Sequence, residues 1–155
     1  MESPGEEVTM KWNLRVCATN KACATVYVRR HQFKVGAPVH FDEQYNQITA
    51  LEYVLGAIGA DVVRGLQSLA RKRRVEIDNV EALVSGELNN PLTHLGVVGE
   101  EGHPGLETVR VKVYVSSTEV KEEIQRIWNE MLEKSPLVRT FQSAINLELD
   151  LQVVI

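Results

Sequence analysis

Residues 48–74 read ITALEYVLGAIGADVVRGLQSLARKRR, and the way this stretch folds decides the rest of the chain. Ile48, Leu51, Leu55, Ile58, Val62, Leu66 and Leu69 recur at spacings of three and four. That is the period of a helix with one apolar face. At 1.5 Å per residue the segment spans roughly 40 Å, about the width of a small domain, so it is expected to run through the middle of the fold. Gly56, Ala57, Gly59, Ala60 and Gly65 put small side chains on its other faces. Each helical glycine costs about 1 kcal/mol relative to alanine, so this run implies that another backbone packs closely there. The basic run Arg71-Lys72-Arg73-Arg74 falls at the end of the helix, where cations offset the negative end of its dipole.

Upstream of this helix the chain has β character. Asn13–Ala18 and Ala22–Val28 are rich in strand formers and are separated by Thr19-Asn20-Lys21, which predicts a hairpin. With that three-residue loop, Cys17 and Cys23 face each other across the strands; a two-residue loop puts them out of register. A third strand over Gln32–Val35 ends at Gly36-Ala37-Pro38. Residues 1–8 are polar and turn-rich and are expected to form a flexible end.

Downstream, Val75–Leu88 predicts a strand with Val80, Ala82 and Val84 on one side. Residues 89–106 hold four glycines and two prolines and predict a long loop. Thr108–Val115 alternates as a strand, and Ser117 or Thr118 is placed to cap a helix over Glu119–Lys134. Pro136 suits the first position of a further helical piece over Leu137–Ala144. Leu147, Leu149, Leu151 and Val153 alternate in a last strand. The expected architecture is one α/β (α+β) domain over residues 1–155 with the order three strands, long helix, two strands, helix pair, strand.

Composition bounds the function. The chain has 155 residues, 44% hydrophobic and 25% charged, and a net charge of -4. These values suit one globular domain and give no electrostatic footprint for nucleic acid. No apolar run reaches the ~18 residues of a membrane span, and the N-terminus lacks a signal peptide's basic-then-apolar pattern, so a cytoplasmic protein with no membrane partner is expected. Cys17 and Cys23 are the only cysteines, and in a reducing compartment they are expected as free thiols.

Two segments carry a resemblance. Ala50-Leu51-Glu52-Tyr53-Val54-Leu55-Gly56-Ala57-Ile58-Gly59-Ala60-Asp61 resembles the segment of the OsmC/Ohr family (osmotically inducible protein C, organic hydroperoxide resistance) that ends in a reactive cysteine. Ser135-Pro136-Leu137-Val138-Arg139-Thr140 resembles the same family's Cys-Pro-Val segment. Asp61 and Ser135 stand where the two cysteines belong. The element order agrees over nearly the whole chain.

The resemblance implies a two-layer fold with antiparallel sheets around a long central helix, and two chains intertwined as a homodimer with sites between them. It also implies an oxidative-stress role and a pocket for an apolar or lipid-like small molecule; no cofactor and no metal are expected. The family's activating glutamate corresponds to Leu51, with Glu52 one residue further on. Glu52, Asp61 and Ser135 are the expected pocket residues.

The chemistry separates the possible functions. A peroxidatic thiolate attacks a peroxide oxygen, becomes a sulfenic acid and condenses with a second thiol. A carboxylate and a hydroxyl cannot complete that cycle, so a ligand-binding or otherwise non-peroxidatic homodimer is the leading expectation. Asp61, at the edge of the apolar stripe, would either pair with Arg64, accept a hydrogen bond from Ser135, or serve as a general acid or base. The rival readings are an organic hydroperoxide reductase using Cys17 and Cys23, and a non-thiol enzyme using Asp61. His94, Glu100, Glu101 and His103 in the loop have no recognised metal-ligand spacing.

Overall fold

A computed structural model describes residues 10–18 and 20–154 and divides the chain, between Tyr53 and Val54, into two compact units. The segment 1–8, expected to be flexible, lies outside the described residues. Among the described residues, no helix is long and apolar enough to cross a membrane.

The first unit holds an antiparallel meander of β1 (Arg15–Cys17), β2 (Ala24–Val28) and β3 (His31–Val35). The hairpin is present, but its connection is longer than the three residues expected. The Asn20 side-chain oxygen accepts from the backbone N–H groups of Ala22 (2.7 Å) and Cys23 (2.9 Å), a local turn that holds both residues out of the ladder. Cys17 therefore faces Thr25 rather than Cys23, and both thiols are free.

At the far end of this unit, Gly36 is closely overbuilt. A Cβ there would lie 2.6 Å from the Gln47 Cβ, so only glycine fits without rearrangement. Thr49 and Glu52 then form a reciprocal cap at the start of α1 (Ala50–Lys72). The Thr49 hydroxyl accepts from the Glu52 N–H (3.1 Å), while the Glu52 carboxylate accepts from the Thr49 N–H (3.0 Å) and hydroxyl (2.8 Å). These donors, the backbone N–H first, hold the Glu52 carboxyl below its ordinary range.

The second unit contains the rest of α1, β4 (Asn79–Leu88), α2 (Pro91–His94), β5 (Leu106–Ser116), α3 (Lys121–Lys134), α4 (Pro136–Gln142) and β6 (Asn146–Val154). β5 is the central strand of the sheet β4-β5-β6. It pairs antiparallel with β4 and parallel with β6, so the second sheet is mixed rather than wholly antiparallel. The helix pair α3 and α4 supplies the crossover that a parallel neighbour requires.

The sheet has one dry face. Val109, Val111, Val113 and Val115 of β5 are 0–1% exposed, whereas Arg110, between them in sequence, takes the opposite face and pairs with Glu87 (2.7 Å) and Glu148 (2.6 Å). The valines share one core with Ile58, Val62 and Leu66 of α1, Ile124 and Ile127 of α3, and Val138 of α4. Full burial of such a side chain contributes about 1.5–3 kcal/mol, so this sheet-on-helix layer supplies most of the unit's cohesion. Gly59 and Gly65 of α1 meet side chains rather than the second backbone expected there. A Cβ on Gly59 would meet Val84 Cγ2 at 2.7 Å, and one on Gly65 would meet Met131 Cγ at 3.1 Å.

Three boundaries differ from the expected ones. α1 ends with Arg74 in the left-handed region (φ 59°) and the Val75 N–H bonded to the Ala70 carbonyl (2.8 Å), a Schellman-type stop that delays the next strand to Asn79. α3 starts at Lys121 without a side-chain cap, because the Ser117 hydroxyl is bonded to the Glu76 carbonyl and to the Glu119 N–H. The long loop contains the short helix α2, whose cap Asn90 accepts from the Leu92 N–H and donates to the Glu100 carboxylate and the Glu101 carbonyl.

Candidate functional site

The fold brings Asp61 and Ser135 into direct contact across 74 residues of sequence. Asp61 projects from the middle of α1, and Ser135 occupies the N-cap of α4, with Pro136 following at the first helical position. One Asp61 oxygen, Oδ2, accepts from the Ser135 hydroxyl (2.5 Å) and from the Leu137 N–H (3.1 Å). Ser135 Oγ in turn accepts from the Val138 N–H (3.2 Å).

A helix leaves its first N–H groups without intrahelical partners. Here the cap serine satisfies one and a carboxylate from another helix satisfies the next. The negative charge of Asp61 also sits at the positive end of α4. Of the roles open to Asp61 in the sequence, the hydrogen bond with Ser135 is the one observed; Arg64 bonds to Gln67 instead (2.9 Å). Ser135 is only 4% exposed, and its hydroxyl is engaged as both donor and acceptor. The pair does not share the redox chemistry of two thiols.

A cavity of about 300 Å³ opens beside this pair. Gly65, Leu69, Met131 and Pro136 give it an apolar wall, with Asp61 and Ser135 at its polar part and Ser68, Lys72 and Lys134 completing the lining. Leu69 and Met131 are buried, whereas Ser68, Lys72 and Lys134 are exposed, so the lysines form the rim. Every lining residue belongs to the second unit. The Glu52 carboxylate, expected in the pocket, is committed to the Thr49 cap. Lys72 belongs to the basic end of α1 and Lys134 to the end of the helix expected over Glu119–Lys134, so neither stands out in the sequence as a cavity residue.

The rim carries one ion-pair network. Glu130 accepts from Lys134 (2.9 Å) and from Arg73, and these two cations hold its carboxyl down at about 2, Arg73 contributing most. Lowering a folded-state carboxyl below its unfolded value adds stability that is present above the unfolded value and lost as pH falls toward the folded one. The melting temperature of the native chain should therefore fall more steeply between roughly pH 5 and pH 2 than that of Glu130→Gln. Parallel acid limbs for the two proteins would show that the network contributes nothing.

The remaining candidate residues lie apart from this arrangement in chemistry. Cys23 is buried in the first unit, and Cys17 Sγ accepts from the Arg15 guanidinium (3.0 Å). The Glu100 carboxylate accepts from Asn90, and His103 Nδ1 accepts from the Gly105 N–H. Among the described residues, no group of three or more His, Cys, Asp or Glu side chains is placed to hold a metal ion.

Comparison with known proteins agrees with this fold. No curated protein sequence matches the chain. The structure is similar to that of an OsmC-like protein from Mycoplasma pneumoniae, at 15% identity and a TM-score of 0.78 over 96% of this chain and 100% of the other. It is also similar to an organic hydroperoxide resistance protein from Elizabethkingia anophelis, at 13% identity and a TM-score of 0.67 over 95% and 100%. The organic hydroperoxide resistance protein of Bacillus subtilis aligns at 16% identity and a TM-score of 0.57 over 91% and 98%. At these identities the likeness establishes the fold. The sequence profile of the OsmC-like proteins matches residues 42–150, which include both Asp61 and Ser135, and the chain belongs to that family.

Proposed function

We propose that this protein is a non-peroxidatic member of its family that binds a small molecule with an apolar body in the cavity beside Asp61. The observation that carries the reading is the Asp61–Ser135 hydrogen bond. The two positions that resemble the family's cysteine positions are in contact, yet they hold groups that fix a helix end instead of exchanging electrons. The cavity remains, with an apolar wall and a volume at the lower end of the range for small-molecule sites.

Octanol is a suitable neutral probe. It should bind the native protein by calorimetry, and Ser68→Trp, which fills the cavity from an exposed position, should abolish binding without lowering the melting temperature. Equal binding by both proteins would place the probe elsewhere and remove the support for this site.

The reading includes a homodimer. In the first unit Met10, Trp12, Leu14 and Val16 alternate along one stretch, and each is more than half exposed. Apolar side chains in such a row favour burial against a partner. Sedimentation of the purified chain should give twice its 17.4 kDa mass, and a monomer at micromolar concentration would contradict this part of the proposal.

A further inference from the structure

We infer that the ligand of this cavity is a monoanionic amphiphile, its charged head held at the rim by Lys72 and Lys134 and its apolar body against Leu69, Met131 and Pro136. The inference rests on the proposed ligand-binding role of the cavity and adds the charge of the ligand to it.

The lining holds two ammonium groups and one carboxylate. That carboxylate is already compensated: Asp61 receives two hydrogen bonds at the N-terminus of α4. Lys134 has one ion-pair partner, Glu130, and shares it with Arg73, so a single carboxylate faces two cations. Lys72 has no carboxylate within ion-pair distance among the described residues. The rim therefore carries a surplus of positive charge next to an apolar wall. Both lysines have three rotatable donors on flexible stems and act as point charges, which suits a small anionic head of any geometry.

A neutral apolar molecule leaves that surplus unanswered, and a cationic one is repelled by it. The volume of about 300 Å³ limits the body to a short or medium chain or a single ring.

Three probes with the same body and different heads test the charge: octanoate, octanol and octylammonium, titrated calorimetrically into the full-length protein at neutral pH. Exposed ion pairs each contribute modestly, so with two lysines octanoate should bind roughly tenfold more tightly than octanol, and octylammonium more weakly than either. Lys72→Gln and Lys134→Gln should each lower octanoate affinity roughly threefold and leave octanol unchanged, and the double variant should abolish the preference. Both side chains are exposed, so both variants are expected to fold; Lys72→Gln should melt like the native protein and Lys134→Gln slightly below it, for loss of its ion pair with Glu130. Equal binding of octanoate and octanol by the native protein would overturn the inference while leaving the cavity as a ligand site. Failure of all three probes to bind would overturn the cavity reading and this inference together.

Discussion

Replacing Asp61 by alanine is expected to destabilise the protein by about 3 kcal/mol, with a fall in melting temperature of roughly 6–12 °C for a chain of this size. The change removes the acceptor shared by the Ser135 hydroxyl and the Leu137 N–H. Hydrogen bonds to a charged acceptor contribute about 1.5–3 kcal/mol each, and a donor left unpaired in a partly buried place costs about 1–3 kcal/mol. The favourable placement of the carboxylate at the start of α4 is lost as well. Asp61→Asn keeps an oxygen in the same place and should cost only about 1 kcal/mol, since the geometry survives without the charge. Thermal unfolding of the two variants distinguishes this account from one in which Asp61 is a solvated surface group. A change within about 0.5 kcal/mol for the alanine variant would show that the carboxylate does not fasten the two helices.

The second large effect concerns the same two positions carrying thiols. In Asp61→Cys/Ser135→Cys, on a Cys17→Ser/Cys23→Ser background, mild oxidation should close a single intramolecular disulfide. A cysteine sulfur at 61 takes the place of the Asp61 Cγ, one bond short of the oxygen that now meets Ser135 at 2.5 Å, so a modest side-chain rotation brings the sulfurs together. The bond would close a loop of 74 residues. In the chain-entropy account a loop of that length stabilises the folded state by about 4 kcal/mol, so the oxidised variant should melt well above its reduced form. Retention of two free thiols in a folded, oxidant-treated variant would mean that positions 61 and 135 do not correspond to a pair able to exchange electrons.

Much of the fold was readable because its elements have strong local periods. The stripe from Leu51 to Leu69 defines α1 with little help from the rest of the chain, and the valines of β5 alternate cleanly enough to be placed on a buried face. Boundaries were less legible where side chains compete for backbone groups. Ser117 looked like a helix cap but is drawn to the Glu76 carbonyl, a partner 41 residues away that no local pattern reveals. The register of the first hairpin depended on Asn20, whose side chain took two backbone N–H groups and lengthened the turn. The Thr49–Glu52 cap was written in the sequence as a threonine followed three residues later by a glutamate, and it explains why Glu52 is occupied at the helix start. The parallel entry of β6 has no signature in its own residues, because it follows from the number of turns the chain makes through α3 and α4.

The site divides in the same way. Asp61 and Ser135 stand out because their segments resemble the family's cysteine segments, and a hydrogen bond between them is among the outcomes the sequence allows. The rim carries no such signal. Lys72 and Lys134 are 62 residues apart and belong to helix ends where basic residues are common, so only the packing of α1 against α3 shows that they share a cavity. The role proposed for them is chemical complementarity, and it leaves untouched the prior question of whether thiol chemistry persists anywhere in the chain.

That question is settled most directly by following the consumption of an organic hydroperoxide by the purified protein with a dithiol as reductant, beside the Cys17→Ser/Cys23→Ser variant. The account predicts that both proteins give only the rate of the dithiol alone, because on the proposed reading Asp61 and Ser135 stand in place of the thiols that chemistry requires. Turnover in the native protein that disappears in the variant would contradict it and place a working redox site on the first hairpin.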